Sequence, residues 1–247
     1  MNAGDNAVDR AGQLLPDAPW LRALGDNAPK FAEGLARVSD VIVTDGALPA
    51  GLKALFAAAI CAVKRDEGLL EHFLTTAHKE DVGADQVAGA AVGLLISRGV
   101  RPHELFVTAA ERAYGGPVTI DASPGTTEAD VAGAYAYFQN YFGAVPDYVE
   151  LLGERAGRAL EGYFLMREAA LGETPLPARD MELLLCAVNA AEYQARFVAI
   201  HARGARRAGA TEEQLVEATL TAMPFAGVAS WLPAAQGVID SRDVAGP

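Results

Sequence analysis

The hydrophobic and polar positions along this chain follow a helical period, most clearly between Met181 and Thr211. The first third of this stretch is apolar, with Glu182 as its one charged residue, and polar residues then alternate with apolar ones as far as Gly209. Ala, Leu, Glu, Gln and Arg dominate and no proline interrupts the run, which favours helix. Gly209 indicates a helix end, and Thr211 indicates the N-cap of the next helix. Because no strand-like alternation of useful length occurs elsewhere, the sequence predicts an all-α protein.

The same pattern of residues occurs twice along the chain. Shifting the sequence by 128 positions aligns many residues without a gap. The most informative matches are short groups: Leu48-Pro49-Ala50 on Leu176-Pro177-Ala178, Glu33-Gly34 on Glu161-Gly162, and Gly99-Val100 on Gly227-Val228. A constant offset across several such groups predicts a tandem duplicated helical repeat.

The duplication suggests a division of the chain into five parts. We predict a loose polar tail at 1–15, repeat 1 at 16–104, a linker with an aromatic helix at 105–143, repeat 2 at 144–234 and a C-terminal tail at 235–247. Within each repeat the pattern predicts corresponding helical elements, at 19–43, 49–63, 65–81 and 84–98 in repeat 1 and at 147–171, 177–190, 191–208 and 212–226 in repeat 2. The aromatic cluster around Tyr141 and Phe142 is typical either of core or interface packing or of a pocket wall.

Charge and cysteine content exclude several classes of function. The formal net charge is −12, so binding to nucleic acid or to an anionic membrane would be electrostatically unfavourable. Neither an apolar signal core nor a run of eighteen apolar residues occurs, and we expect a cytoplasmic protein without a membrane span. The two cysteines, Cys61 and Cys186, form no Cys-x-x-Cys motif. This excludes a vicinal dithiol site and a cysteine-rich zinc site.

The stretch that begins at Glu182 resembles the signature helix of the carboxymuconolactone decarboxylase and alkylhydroperoxidase D-like superfamily. That signature is a Glu, eleven residues, Cys-x-x-Cys, three residues and a His, followed by a Gly. Glu182 and His201 have the matching spacing, whereas Gln194 and Phe197 occupy the two cysteine positions. The resemblance implies the all-α fold of this superfamily in a tandem-repeat form.

The resemblance also implies a reaction class. Peroxidase members need both cysteines, so the similarity implies the decarboxylase branch: a carbon–carbon lyase that uses neither a metal nor an organic cofactor and acts on a small carboxylated or lactone-type molecule. Relatives with one repeat assemble into rings, and a tandem chain is therefore expected to form dimers or trimers of itself. The alternative is a non-catalytic member that binds a small molecule or acts as a scaffold.

The candidate site residues lie in repeat 2. His201 is the candidate general acid/base, since histidine titrates near neutral pH, and Glu182 is its candidate partner. The alternatives are a hydrogen-bonded core histidine and a salt-bridged glutamate at the end of a hairpin. The candidate substrate-binding residues are near them in sequence: Gln194, Phe197, Tyr193 and Arg203.

Repeat 1 lacks both candidate catalytic residues at the equivalent positions. Under the constant offset, Ala54 replaces Glu182 and Phe73 replaces His201. This interpretation makes repeat 1 structural and repeat 2 the carrier of the chemistry. A one-residue local gap would instead align His72 with His201, so a second site in repeat 1 stays open at this point.

Overall fold

The structure is a computed structural model that describes residues 3–16, 18–120 and 127–242. Helices dominate, and no strand occurs within these ranges. The first seven helices are α1 (Ala3–Leu14), α2 (Trp20–Asn27), α3 (Pro29–Val43), α4 (Ala50–Lys64), α5 (Glu67–Lys79), α6 (Ala84–Arg98) and α7 (Val100–Tyr114). The next seven are α8 (Val131–Phe142), α9 (Asp147–Gly172), α10 (Ala178–Ala191), α11 (Ala195–Arg207), α12 (Glu212–Leu220), α13 (Met223–Ala226) and α14 (Trp231–Asp240). The predicted all-α fold is confirmed.

The two halves of the chain repeat the same series of helices at the offset found in the sequence. Helices α1 and α8 have identical bounds once shifted by 128 positions, as do α5 and α11. Helix α9 corresponds to α2 and α3 together, because its backbone leaves the helical region at Ala156, with φ −151° and ψ 62°. Left-handed residues also correspond: Arg65 has φ 61° and Tyr193 has φ 59°.

These helices correct the predicted boundaries. Residues 3–14 are not part of a loose tail but form α1, because Ala7, Ala11 and Leu14 are buried against α3. The aromatic helix α8 is the counterpart of α1 rather than part of a linker, and α14 continues the second repeat into the predicted C-terminal tail. We therefore extend repeat 1 to 3–114 and repeat 2 to 131–242. Helix α1 was missed because its polar residues leave only a narrow apolar stripe.

The core is built on α4 and α10, which lie in contact and are buried along most of their length. Each forms a hairpin with the next helix, α5 or α11. The packing between repeats is reciprocal: α6 of repeat 1 contacts α9 and α10, and α12 and α13 of repeat 2 contact α3 and α4. Each repeat therefore packs helices against the central helix of the other repeat. No helix in the described ranges is long and apolar enough to cross a membrane.

A buried ion pair also joins the repeats. The ammonium group of Lys53 is fully buried and lies 3.1 Å from Oε2 of Glu217. It also donates hydrogen bonds to the carbonyl oxygens of Val41 and Thr44, at 2.6 and 2.8 Å. Glu217 in turn accepts from the backbone N–H groups of Ala47 and Leu48. This pair fixes α12 of repeat 2 against the loop that precedes α4.

Candidate functional site

Glu182 and His201 are in direct contact in the interior of repeat 2. Nδ1 of His201 lies 2.7 Å from Oε2 of Glu182, and the two residues are only 8% and 3% exposed. Helix α10 is apolar around nearly its whole circumference, so Glu182 is buried with it. Helix α11 is amphipathic, and His201 lies on its buried face with Val198 and Ala202. A buried carboxylate needs such a partner, because burial without one is costly.

Tyr141 provides a second hydrogen bond to the carboxylate. Its hydroxyl donates to Oε1 of Glu182 at 2.6 Å. Burial raises the pKa of Tyr141, and the negative charge of Glu182 raises it further, while Arg167 acts in the opposite direction. The phenol therefore stays protonated at neutral pH and remains a donor. With both oxygens occupied, Glu182 is held in one orientation towards His201.

Gly204 makes room for this arrangement. A Cβ atom at position 204 would lie 2.3 Å from Oε1 of Glu182 and 2.5 Å from the hydroxyl oxygen of Tyr141. Both distances are well below normal contact, so any side chain here would displace the carboxylate or the phenol. Gly204, three residues after the histidine, is therefore needed for the geometry of the site.

Arg167 of α9 lies next to this group. Its guanidinium carbon is 4.3 Å from the centre of the Tyr141 ring, a cation–π contact. The residue is 7% exposed, yet Nε and Nη2 have no hydrogen-bond partner among the described residues. Burial acts to lower the pKa of Arg167, but the nearby tyrosines and Glu182 raise it overall, so the group is cationic. Buried, unpaired donors of this kind indicate a binding position for an anion.

A cavity of about 190 Å³ joins His201 and Arg167. The end of α6 contributes Arg98, whose Nη2 donates to Oδ1 of Asn189 at 2.7 Å and whose buried Nε has no partner in the described structure. Aromatic and aliphatic side chains form the remaining wall, including Phe142, Tyr148, Tyr163, Leu185, Phe197 and Ile200. The cavity therefore combines an apolar wall with a few polar groups, a histidine and two arginines, as small-molecule sites do.

The structure separates the predicted substrate-binding residues. Phe197 lines the cavity, although half of its side chain is exposed. Gln194 is exposed at the N-cap of α11, and the hydroxyl of Tyr193 donates to the carbonyl of Ala226, outside the cavity. Arg203 donates to the carbonyl of Asp240 at 3.1 Å, also outside it. Gln194, Tyr193 and Arg203 thus lie outside this cavity. The left-handed backbone at Tyr193 forms the turn between α10 and α11, so α11 starts at Ala195, later than predicted.

Three residues of the site were not singled out from the sequence. Tyr141 belongs to the aromatic cluster, for which a pocket wall was one of two interpretations, and its neighbour Phe142 does line the cavity. Arg167 follows Phe164-Leu165-Met166 in a helical stretch, and an arginine among apolar residues was the available signal. Arg98 comes from the other repeat, and nothing in its local sequence indicates this contact.

Comparison with known proteins agrees with this architecture. Residues 158–240 match the model of the carboxymuconolactone decarboxylase family. A crystal structure from Burkholderia xenovorans LB400, provisionally named a gamma-carboxymuconolactone decarboxylase subunit, is similar over 94% of this chain and 96% of its own, with a TM-score of 0.62 and 19% identity. The resemblance to the carboxymuconolactone decarboxylase-like superfamily is confirmed. At this identity the structural likeness establishes the fold alone. No curated protein sequence matches the chain.

Within this superfamily fold, Gly204→Ala tests how tightly the site is packed. The added methyl group should displace Glu182 or Tyr141 and lower the free energy of unfolding by about 1–3 kcal/mol. Thermal and urea unfolding measure the change. Gly162→Ala is the control, because a Cβ at that position of α9 meets no atom within 4 Å. It should be neutral or slightly stabilising, and equal effects of the two substitutions would contradict the packing we describe.

We also expect this protein to show no thiol peroxidase activity. Cys61 and Cys186 are both buried, and burial raises the pKa of both thiols, so neither is a reactive thiolate. Peroxide consumption with a dithiol reductant should stay at the background rate. Turnover that disappears in Cys186→Ser would refute this expectation.

Proposed function

We propose that this protein is a cofactor-independent enzyme that acts on a small carboxylated or lactone-type substrate, with His201 as general acid/base. The observation that carries the proposal is the buried contact between Glu182 and His201 beside a small cavity lined by Arg167, whose Nε and Nη2 have no hydrogen-bond partner among the described residues. A core histidine with a purely structural role would have no need of such a cavity. Membership of the carboxymuconolactone decarboxylase-like superfamily supports the same reaction class.

Glu182 fixes the tautomer and the orientation of the histidine. With Nδ1 bonded to the carboxylate, the remaining ring nitrogen of His201, Nε2, is left to exchange a proton with a ligand in the cavity. None of the described residues forms a hydrogen bond to Nε2. The same division of roles, in which a carboxylate orients a histidine and the other nitrogen transfers the proton, occurs in many hydrolytic enzymes.

Arg167 supplies positive charge at the other end of the cavity. Its two unpaired N–H groups can bind the oxygens on which negative charge develops as carbon dioxide leaves. In that step the carbon–carbon bond to the carboxylate breaks, and its electron pair moves into the conjugated lactone carbonyl. His201 then donates a proton through Nε2 to the carbon and regains one from solvent. The reaction releases one carbon dioxide, consumes one proton and needs no oxidant.

The direct test uses γ-carboxymuconolactone, the substrate implied by the name of the structural relative. The protein should release carbon dioxide from it, measured by a coupled assay together with the loss of absorbance of the lactone. Turnover would support the proposal. Saturable binding to repeat 2 without turnover would overturn it in favour of a non-catalytic binding protein.

Arg167→Met should raise KM for the carboxylated substrate and lower kcat/KM by about 10–100-fold, because a charged hydrogen bond to the substrate is lost. Methionine keeps much of the buried volume, so folding should be preserved and can be checked by circular dichroism. Arg158→Met on the same helix is the control, because its side chain is 97% exposed. A KM unchanged by Arg167→Met would place the substrate elsewhere.

We further propose that the chain forms a homo-oligomer, a dimer or a trimer. The structural relative is named as a subunit, which supports an assembly in this superfamily. Sedimentation velocity on the purified protein measures the oligomeric state directly.

A further inference from the structure

Repeat 1 has a concave surface at the position that corresponds to the cavity of repeat 2. We name it the apolar groove. Its volume is about 1360 Å³, compared with about 190 Å³ for the cavity. Six pairs of lining residues are related by the 128-residue offset: Trp20 and Tyr148, Leu35 and Tyr163, Cys61 and Asn189, Leu69 and Phe197, Ile96 and Pro224, and Ser97 and Phe225. The duplication thus produced two related concave surfaces, the cavity of repeat 2 and the apolar groove of repeat 1.

The apolar groove lacks the chemistry of its counterpart. Ser39 occupies the position equivalent to Arg167, Phe73 that of His201 and Ala54 that of Glu182. Aliphatic and aromatic side chains make up most of its wall, with proline residues at its rim. It therefore lacks the glutamate–histidine pair, and its mostly apolar surface is suited to binding an apolar group.

The exposed wall of the apolar groove is large for a chain that stands alone. Trp20 is 53% exposed and Phe31 is 65% exposed, and both line the groove. Contiguous exposed aromatic surface of this kind marks a binding site more often than it occurs by chance. A ligand with an extended apolar body would remove these rings from water.

The lining of the apolar groove carries two lysines and one aspartate, Asp66. Two of the four lysines in the chain, Lys30 and Lys64, line it, although the net charge is −12. Lys64 is paired with Glu192 at 2.7 Å. Lys30 is exposed, and no ion pair connects it with any other described residue. The carboxylate of Asp66 accepts from the backbone N–H of Leu69 and caps α5. Lys30 therefore leaves a positive charge beside an apolar surface.

We propose that the apolar groove binds an amphipathic anion with an elongated apolar body and one carboxylate, as in a medium- or long-chain fatty acid. The apolar wall, with Trp20 and Phe31, covers the hydrocarbon portion. Lys30 faces the carboxylate. This binding is independent of the chemistry at His201, and its failure would leave the proposed enzyme activity untouched.

The fluorescence of Trp20 reports on the binding. The chain has two tryptophans, so Trp231→Phe leaves Trp20 as the single reporter. Titration with dodecanoate at submicellar concentration should change its emission in a saturable way. Dodecanol, which lacks the charge, should bind about 2–5-fold more weakly, as expected for one exposed charge interaction. Butyrate, which lacks the apolar body, should not bind measurably.

The chain offers a matched pair of blocking substitutions in the Trp231→Phe background. Gly34 lines the apolar groove and Gly162 is its equivalent in repeat 2, and a Cβ at either position meets no atom within 4 Å. Gly34→Phe should therefore fold but fill part of the groove, and should weaken dodecanoate binding about 10-fold or more. Gly162→Phe should bind dodecanoate like the parent.

Three results would overturn the proposal. The first is the absence of saturable binding by dodecanoate. The second is equal binding by the Gly34→Phe and Gly162→Phe variants. The third is that Gly34→Phe dissociates an oligomer in sedimentation velocity, which would show that a second copy of the chain covers the apolar groove. A selective loss of dodecanoate binding in Gly34→Phe at an unchanged oligomeric state supports it.

Discussion

Replacing His201 with alanine should lower the turnover of γ-carboxymuconolactone by about 10²–10⁴-fold, the usual contribution of a general acid/base. The fold should survive with lower stability, because Phe73 occupies the equivalent position in repeat 1 and Glu182 keeps Tyr141 while it loses the histidine. Steady-state kinetics and circular dichroism measure the two effects on the same preparation. A position that holds phenylalanine in one repeat and histidine in the other is better explained by chemistry than by packing.

Two further variants separate proton transfer from packing. His201→Gln keeps an N–H donor for the buried Glu182 but cannot transfer a proton, so it should lose as much activity while unfolding at a higher temperature than His201→Ala. Glu182→Gln should cause a smaller loss of activity, since it alters only the partner of the histidine. His78→Ala is the control for unchanged activity, because His78 is exposed and lies in repeat 1. Full turnover in His201→Gln would contradict the assigned role.

Replacing Glu217 with alanine should lower the free energy of unfolding by about 3–5 kcal/mol, the usual result of removing one partner of a buried ion pair. The ammonium group of Lys53 is fully buried and would lose its carboxylate, and two backbone N–H groups would lose their acceptor. Glu212→Ala on the same helix is the control. Its pairs with Arg206 and Arg242 lie at the surface and should be worth no more than about 1 kcal/mol. Similar losses in the two variants would show that the buried pair contributes little.

The contribution of Glu217 should also depend on pH in a definite direction. Burial acts to raise the pKa of Glu217, but hydrogen bonds from Ala47 and Leu48 and the charge of Lys53 lower it below its ordinary value of 4.5. A lowered pKa in the folded state means that the carboxylate stabilises the fold above the unfolded-state pKa. The stability difference between the native protein and Glu217→Gln should therefore be full at neutral pH and shrink as the pH falls below about 4.5.

The helices and their duplication could be predicted because both are periodic properties of the sequence. The contact of Glu182 with His201 could also be anticipated, since their spacing places them on facing helices of one hairpin. Tyr141 could not be assigned to this contact, because it comes from a helix that precedes α10 by a long stretch and its aromatic neighbours favour packing equally well. Arg98 reaches the cavity from the other repeat. Such a contact depends on how the repeats pack, which no local pattern in either repeat specifies.

The errors have a physical cause as well. The third helix of repeat 2 was predicted to begin at residue 191, but the left-handed residue Tyr193 breaks the helix before Gln194. A non-glycine residue with positive φ is uncommon and leaves little trace in composition. The equivalent turn in repeat 1 has Arg65 in the same conformation, so both repeats share this left-handed turn. The sequence did not reveal it because neither position is a glycine.

The space above Gly204 constrains how the two repeats could have diverged from a common ancestor. At the equivalent positions repeat 1 has Ala54 where repeat 2 has Glu182, and Thr76 where repeat 2 has Gly204. An acid introduced opposite a residue with a Cβ would meet the short distances described for Gly204, whereas a glycine opposite an alanine leaves only empty volume. The two substitutions are thus epistatic. An evolutionary path to the carboxylate is open when the glycine arises first and is obstructed in the reverse order.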